Sequence, residues 1–159
     1  MAAVSEPVVT SSVSYPDPLA ALIWLETAFG FETSLLVTDD GGKVGHAEVT
    51  FRGASVGGGG EWSSPELIGA AALRSPASIG GGGAQLIPIA LAGDLDARCN
   101  RARVARATIT QNPANQFYGA RTYRAFDPEG HVWTFHQPAE ALTVAEMGAA
   151  SGLTIKTSL

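Results

Sequence analysis

The chain is expected to fold as an α+β domain of two βαβββ modules, each a curved mixed sheet with one helix against it. Three observations predict this. Short stretches alternate apolar and polar residues with a period of two, the mark of half-buried strands. Helix starts follow the first strand of each half, at Asp17-Pro18 and at Asp94. The order strand, helix, strand, strand, strand is then read twice, over residues 8–58 and 84–137.

In the first half, residues 8–15 form a strand with Val9 and Val13 on one side and Thr10, Ser12 and Ser14 on the other. Asp17 supplies an N-cap and Pro18 a first helical residue without a donor to lose. Ala21, Leu22, Leu25, Ala28 and Phe29 follow at helical spacing, and Trp24 is expected to pack on that helix. Gly30 stops it. Strands are expected at 31–38, 44–51 and 54–57, with Asp39-Asp40-Gly41-Gly42 as the turn between the first two.

The second half opens with a strand at 85–92, where Pro88 points to an edge position or a bulge. Asp94 then caps a helix with the stripe Leu95, Cys99, Ala102 and Ala105, and residues 107–111 form a strand. A hairpin over 118–136 completes the set. Its turn is Asp127-Pro128-Glu129-Gly130: Asp bonds its own turn backbone, Pro presets φ, and Gly accepts positive φ. If Asp127 opposes His131, then Arg124 opposes Thr134 and Thr122 opposes His136 on one face. Tyr123, Ala125, Trp133 and Phe135 take the other face and form core. His131 is expected to be a capping or surface residue.

Between the halves, residues 59–83 read as a linker. Gly57 to Gly60 and Gly80 to Gly83 read as its flexible ends, because no Lys-Ser or Lys-Thr follows either run as a phosphate loop requires. Trp62, Leu67, Ile68 and Leu73 suggest a short helix between them, a lid or an arm. A tail, 138–159, holds one short helix around Val144 to Ala150.

At 159 residues, with 45% hydrophobic and 16% charged residues, the chain suits one globular domain. A net charge of −5 disfavours nucleic acid, and Arg98, Arg101, Arg103 and Arg106 read as a solvated helix face. A single cysteine, Cys99, excludes an intrachain disulfide and is expected to be a buried, inert thiol. Neither a signal peptide nor an apolar run of about 20 residues is evident, so a cytoplasmic protein without membrane contact is expected.

The local sequences add a resemblance. Residues 15–32, from Tyr15-Pro16-Asp17-Pro18 to Phe29-Gly30-Phe31-Glu32, resemble the first helix and its exit in the vicinal oxygen chelate superfamily of glyoxalase, bleomycin-resistance and dioxygenase proteins. Gly45-His46-Ala47-Glu48-Val49-Thr50-Phe51 is similar to a third strand of its glyoxalase-like branch, and residues 94–102 to its second helix. The hairpin from Tyr118 to Phe135 resembles its last one. The similarity covers residues 8–137.

The resemblance implies a cup on the helix-free faces of the sheets. Metal-dependent relatives place one ligand on each of the first, fourth, fifth and eighth strands, the last a Glu seven residues after the turn Asp. The matching positions here are Thr10, the stretch Val56 to Gly58, the neighbourhood of Ile87, and Thr134. None is a His, Glu, Asp or Cys, so no metal and no other cofactor is expected.

The polar residues left for a cup are Thr10, His46, Glu48, Arg124, Thr134 and His136. His46 and Glu48 share one face of a strand and suit a ligand contact, acid–base work or a cross-strand hydrogen bond. Arg124 is either an anion contact or a solvent-reaching side chain on the rim. Three functions follow: binding a small organic molecule without a metal; a metal-free lyase or isomerase of glyoxalase type, with His46 or Glu48 as general base; or an interaction module with a self-filled cup. The family also implies a homodimer, whose second subunit completes the cup.

Overall fold

The computed structural model describes residues 9–83 and 86–158. The first module runs β1 (Ser11–Tyr15), α1 (Pro18–Phe29), β2 (Glu32–Thr38), β3 (Val44–Phe51) and β4 (Ala54–Gly60). A connecting segment carries the short helix α2 (Pro65–Ile68) and a 3-10 turn (Ala77–Ile79). The second module is β5 (Leu86–Ala90), α3 (Leu95–Val104), β6 (Thr108–Asn115), β7 (Ala120–Phe126) and β8 (Val132–Pro138), followed by α4 (Val144–Ser151). The sheets have orders β1-β4-β3-β2 and β5-β8-β7-β6, the same arrangement twice. In each, the first strand lies parallel to the last and the other pairings are antiparallel.

The two helices begin where the sequence said. Asp17 Oδ1 accepts from the Ala20 amide at 3.0 Å and Asp94 Oδ1 from the Ala97 amide at 2.9 Å. Gly30 ends α1 at φ 73°, its N–H returning to the Glu26 carbonyl. The stripe Ala21, Leu22, Leu25, Ala28 and Phe29 is buried, as are Leu95, Cys99 and Ala102 of α3. These stripes meet Val13, Val49, Tyr123, Ala125, Trp133 and Phe135 in one core shared by both modules. Phe29 joins them directly, its ring centroid 5.6 Å from that of Trp133 and 4.8 Å from that of Phe135.

Several expectations need correction. β1 starts at Ser11, so Thr10 and Val9 lie outside it, both exposed, while Val13 is buried. Val8 and Gln85 lie outside the described residues. The Gly57–Gly60 run is not a linker end: it is most of β4, pairing with β1 along its whole length. Glycine is suited there because the chains lie close; a Cβ on Gly59 would sit 3.1 Å from the Gly45 carbonyl oxygen. β6 extends four residues past the expected Gln111, to Asn115. Pro88 does lie on an edge strand, β5, which pairs only with β8 in its sheet.

The arginine cluster is not simply a solvated face. Arg101 donates from Nε to the Thr27 carbonyl and from Nη2 to the Glu26 carbonyl, each at 2.8 Å. Arg98 Nη1 reaches the Phe29 carbonyl at 3.3 Å, and its guanidinium lies 4.8 Å from the Phe51 ring centroid. Cations from α3 thus meet the carbonyls at the C-terminal end of α1, where the helix leaves acceptors unpaired and its dipole is negative. Among the described residues no helix is long and apolar enough to cross a membrane.

Candidate functional site

The pairing of the last hairpin sets the geometry of the second sheet. Arg124 lies opposite Thr134, Thr122 opposite His136 and Tyr123 opposite Phe135. The odd-numbered set, Tyr123, Ala125, Trp133 and Phe135, is fully buried against the helix side. The even-numbered set therefore faces outward, away from the shared core. β5 adds Pro88 beside Thr134 and Ala90 beside His136 on that outward face.

A chain of polar side chains occupies it. Arg124 donates from Nε to Thr134 Oγ1 at 3.3 Å and from Nη1 to Gln111 Oε1 at 2.6 Å. Gln111 Nε2 donates in turn to Thr122 Oγ1 at 2.8 Å. Thr122 is 1% exposed and Thr134 6%, so long neighbours cover both hydroxyls. Thr122 was expected on this face through its pairing with His136, but Gln111 was not. Gln111 faces Arg124 across a pairing whose register shifts on both sides of it, so counting along the strand does not place it there.

The first sheet carries the other candidates. His46 and Glu48 share the face opposite the buried Ala47, Val49 and Phe51. His46 Nε2 lies 3.4 Å from Glu48 Oε1, with the two side chains 50% and 39% exposed. Ser12 and Ser14 of β1 face outward too, opposite Gly57 and Gly59 of β4. No hydrogen bond or ion pair among the described residues joins the His46–Glu48 pair to the Arg124 network. Thr10, exposed beyond the end of β1, joins neither.

His131, expected as a capping or surface residue, is buried at 2% exposure and so is not on the surface. Its Nε2 donates to the Ser14 carbonyl at 3.0 Å, and its ring meets Tyr15 edge-on at 5.1 Å between centroids. Its buried Nδ1 has no hydrogen-bond partner among the described residues. Beside it opens a cleft of about 600 Å³ lined by Ser12, Ser14, Leu73, Arg74, Ile79 and His131. The connecting segment thus covers one end of the first sheet's outward face. Asp127 anchors the joint from beneath. Its Oδ2 accepts from Tyr15 Oη at 2.7 Å and Trp133 Nε1 at 3.0 Å, and its Oδ1 from the amides of Glu129 and His131 at 3.0 Å each. Burial, then the Asp127 charge, pushes the Tyr15 phenol well above its ordinary value.

Comparison with known proteins bears on this geometry. No family model matches the chain. An uncharacterized protein of Mycobacterium tuberculosis is 28% identical over 148 residues, covering 91% of this chain and 82% of that protein. Among solved structures, TioX from Micromonospora sp. ML1 is 28% identical, with a TM-score of 0.63 over 86% of this chain and all of that one. A glyoxalase/bleomycin resistance protein/dioxygenase from Nocardioides is 21% identical, with a TM-score of 0.63 over 90% of this chain and 91% of that one. A superfamily member from Sphaerobacter thermophilus DSM 20745, 19% identical, gives 0.57 over 82% and 96%. The chain has the vicinal oxygen chelate fold.

Within that fold, the chelating positions can be tested for fit to a divalent cation. The outward positions are Ser12 or Ser14 on β1, Gly57 on β4, Pro88 rather than Ile87 on β5, and Thr134 on β8. Thr134 already accepts from Arg124. Hydroxyls, a glycine and a proline do not make a site that needs three or four N, S or carboxylate donors. Among the described residues no group of three His, Cys, Asp or Glu side chains could hold a metal ion. The residues present do not fit the metal of the metal-dependent relatives.

Proposed function

We propose that this protein binds a small organic molecule on the outward, cup-forming face of its sheets and does so without a metal. The observation that carries the reading is the Thr122–Gln111–Arg124–Thr134 network. It occupies the place where a metal-dependent relative carries its last ligand, and it fixes polar groups of known direction beside the apolar Pro88 and Ala90. Such a setting, a few oriented polar anchors on a largely apolar surface, is what a small-molecule site requires. A second subunit completes the cup in this reading. Supporting that, the edge strand β2 leaves Leu35, Leu36 and Val37 exposed, an apolar strip of the kind that partners cover.

Native mass spectrometry of the protein purified from its own cell tests all three parts together. The expected result is a dimer carrying an organic adduct and no divalent cation. A stoichiometric divalent cation would overturn the metal-free reading, and a bare monomer at micromolar concentration would overturn the shared cup.

The His46–Glu48 pair favours a second reading, a metal-free lyase or isomerase. A carboxylate beside an imidazole can orient it as a general base. With any substrate found to turn over, Glu48→Gln is expected to lower kcat by about 100-fold, the low end for general-base catalysis. Unchanged turnover removes Glu48 from the chemistry.

A further inference from the structure

We infer that the molecule recognised by this face is an organic acid, whose carboxylate docks on Arg124. The inference rests on the binding reading above and adds the chemical class of the ligand.

The ion pairs among the described residues are His46–Glu48, Arg74–Glu61 and Arg121–Asp96. Arg124 is in none of them. Its neighbour along β7, Arg121, shows the contrast: it faces the helix side and takes both oxygens of Asp96, at 2.8 Å each. Arg98 and Arg101 spend their charge on the carbonyls at the end of α1. Arg124 instead meets a hydroxyl and an amide oxygen, both neutral.

The network also fixes direction. Gln111 uses both ends of its amide, so neither it nor the guanidinium can rotate without breaking a bond at Thr122 or Thr134. A guanidinium has five N–H donors, and two are engaged here. Nη2 makes no hydrogen bond among the described residues, so three donors are left on a half-buried cation held in one plane. One N–H from Nη1 with one from Nη2 makes a parallel fork. That fork is the complement of a carboxylate. The adjoining outward residues, Pro88 and Ala90, are apolar and exposed. They suit the hydrocarbon body of the same ligand. The rest of the chain makes the preference local. A net charge of −5 repels anions at long range, so an acid binds only where a nearby uncompensated cation outweighs that field.

The test is a matched panel of aromatic acids and their primary amides, for example 2-naphthoate against 2-naphthamide, followed by ligand-observed NMR and calorimetry on the full chain. The acid is expected to bind at least about tenfold more tightly than its amide, the scale of one charge-assisted hydrogen bond. Arg124→Gln is expected to bring the pair within about threefold by weakening the acid alone. Arg124→Lys, which keeps the charge and loses the fork, is expected to fall between, and it serves if the glutamine variant does not fold. Equal binding of acids and amides, or an acid preference unchanged by both substitutions, overturns this inference and leaves the binding reading standing. Silence from every acid and every amide overturns both.

Discussion

Replacing Asp127 by asparagine changes one atom and removes the pin between the modules. The carboxylate accepts four hydrogen bonds, two from backbone amides at Oδ1 and two from Tyr15 and Trp133 at Oδ2. An asparagine amide has a single oxygen. Kept at Oδ1, it satisfies the Glu129 and His131 amides and turns its NH₂ toward Tyr15 and Trp133. The Tyr15 hydroxyl can rotate to accept, but the Trp133 indole N–H can only donate, so two donors face each other in a fully buried place. An orphaned buried donor costs about 1–3 kcal/mol, and losing the charge weakens the remaining bonds by roughly a further 1 kcal/mol. The expected loss is about 3 kcal/mol. With a urea slope near 2 kcal/mol/M, the midpoint falls by roughly 1.5 M. Urea unfolding followed by tryptophan fluorescence, at one protein concentration, measures it. Tyr15→Phe is the companion, expected to cost about 1.5 kcal/mol because Asp127 keeps three donors. A change below about 0.5 kcal/mol for Asp127→Asn would refute the view that this carboxylate holds the turn and β1 together.

Three further outcomes are expected. Tyr15 is neutral in the fold with its phenol raised, so the stability it contributes is intact below the unfolded value of about 10 and is lost as pH rises beyond it; alkaline unfolding read at 295 nm checks this, and Tyr15→Phe is expected to delay it. Burial pushes the Cys99 thiol up, so it is expected to resist a disulfide reagent in the native state and to react on unfolding, which a timed thiol assay reads. Gly59→Ala brings a Cβ against the Gly45 carbonyl at 3.1 Å and is expected to cost about 1–3 kcal/mol, whereas Gly82→Ala meets nothing within 4 Å and is expected to stay within about 0.5 kcal/mol; paired thermal melts separate them.

What the sequence carried legibly was local. The hairpin register followed from its turn, because Asp127 and Gly130 admit one closure and the period of two does the rest. Both helices were legible for the same reason, a cap followed by a stripe. Two of the failures arose between modules and a third from close approach within one. His131 follows a turn and so reads as surface; it is buried because β1 of the other module offers it the Ser14 carbonyl. Arg98 and Arg101 read as solvated because their partners, carbonyls some seventy residues away, are invisible to local sequence. The glycine run read as a linker because glycine disfavours strands in general; here close approach of β3 selects it.

That division bears on the site itself. Positions on the helix side are constrained by volume and shape, and there the aromatic core Phe29, Phe31, Trp133 and Phe135 interlocks across both modules. Positions on the outward face are constrained by what they bind and by their immediate neighbours, and among the described residues no helix of either module packs over the outward face of β7 and β8. A chelating carboxylate there can be exchanged for Thr134 without disturbing the core, provided the polar group left behind is satisfied. Arg124 satisfies it, and Gln111 and Thr122 satisfy Arg124's side of the network. The exchange therefore replaces a cation held by carboxylates with a cation built into the chain. In the proposed binding reading, a site formed this way takes anionic oxygen on Arg124 while giving up the open coordination position on which metal-dependent chemistry relies.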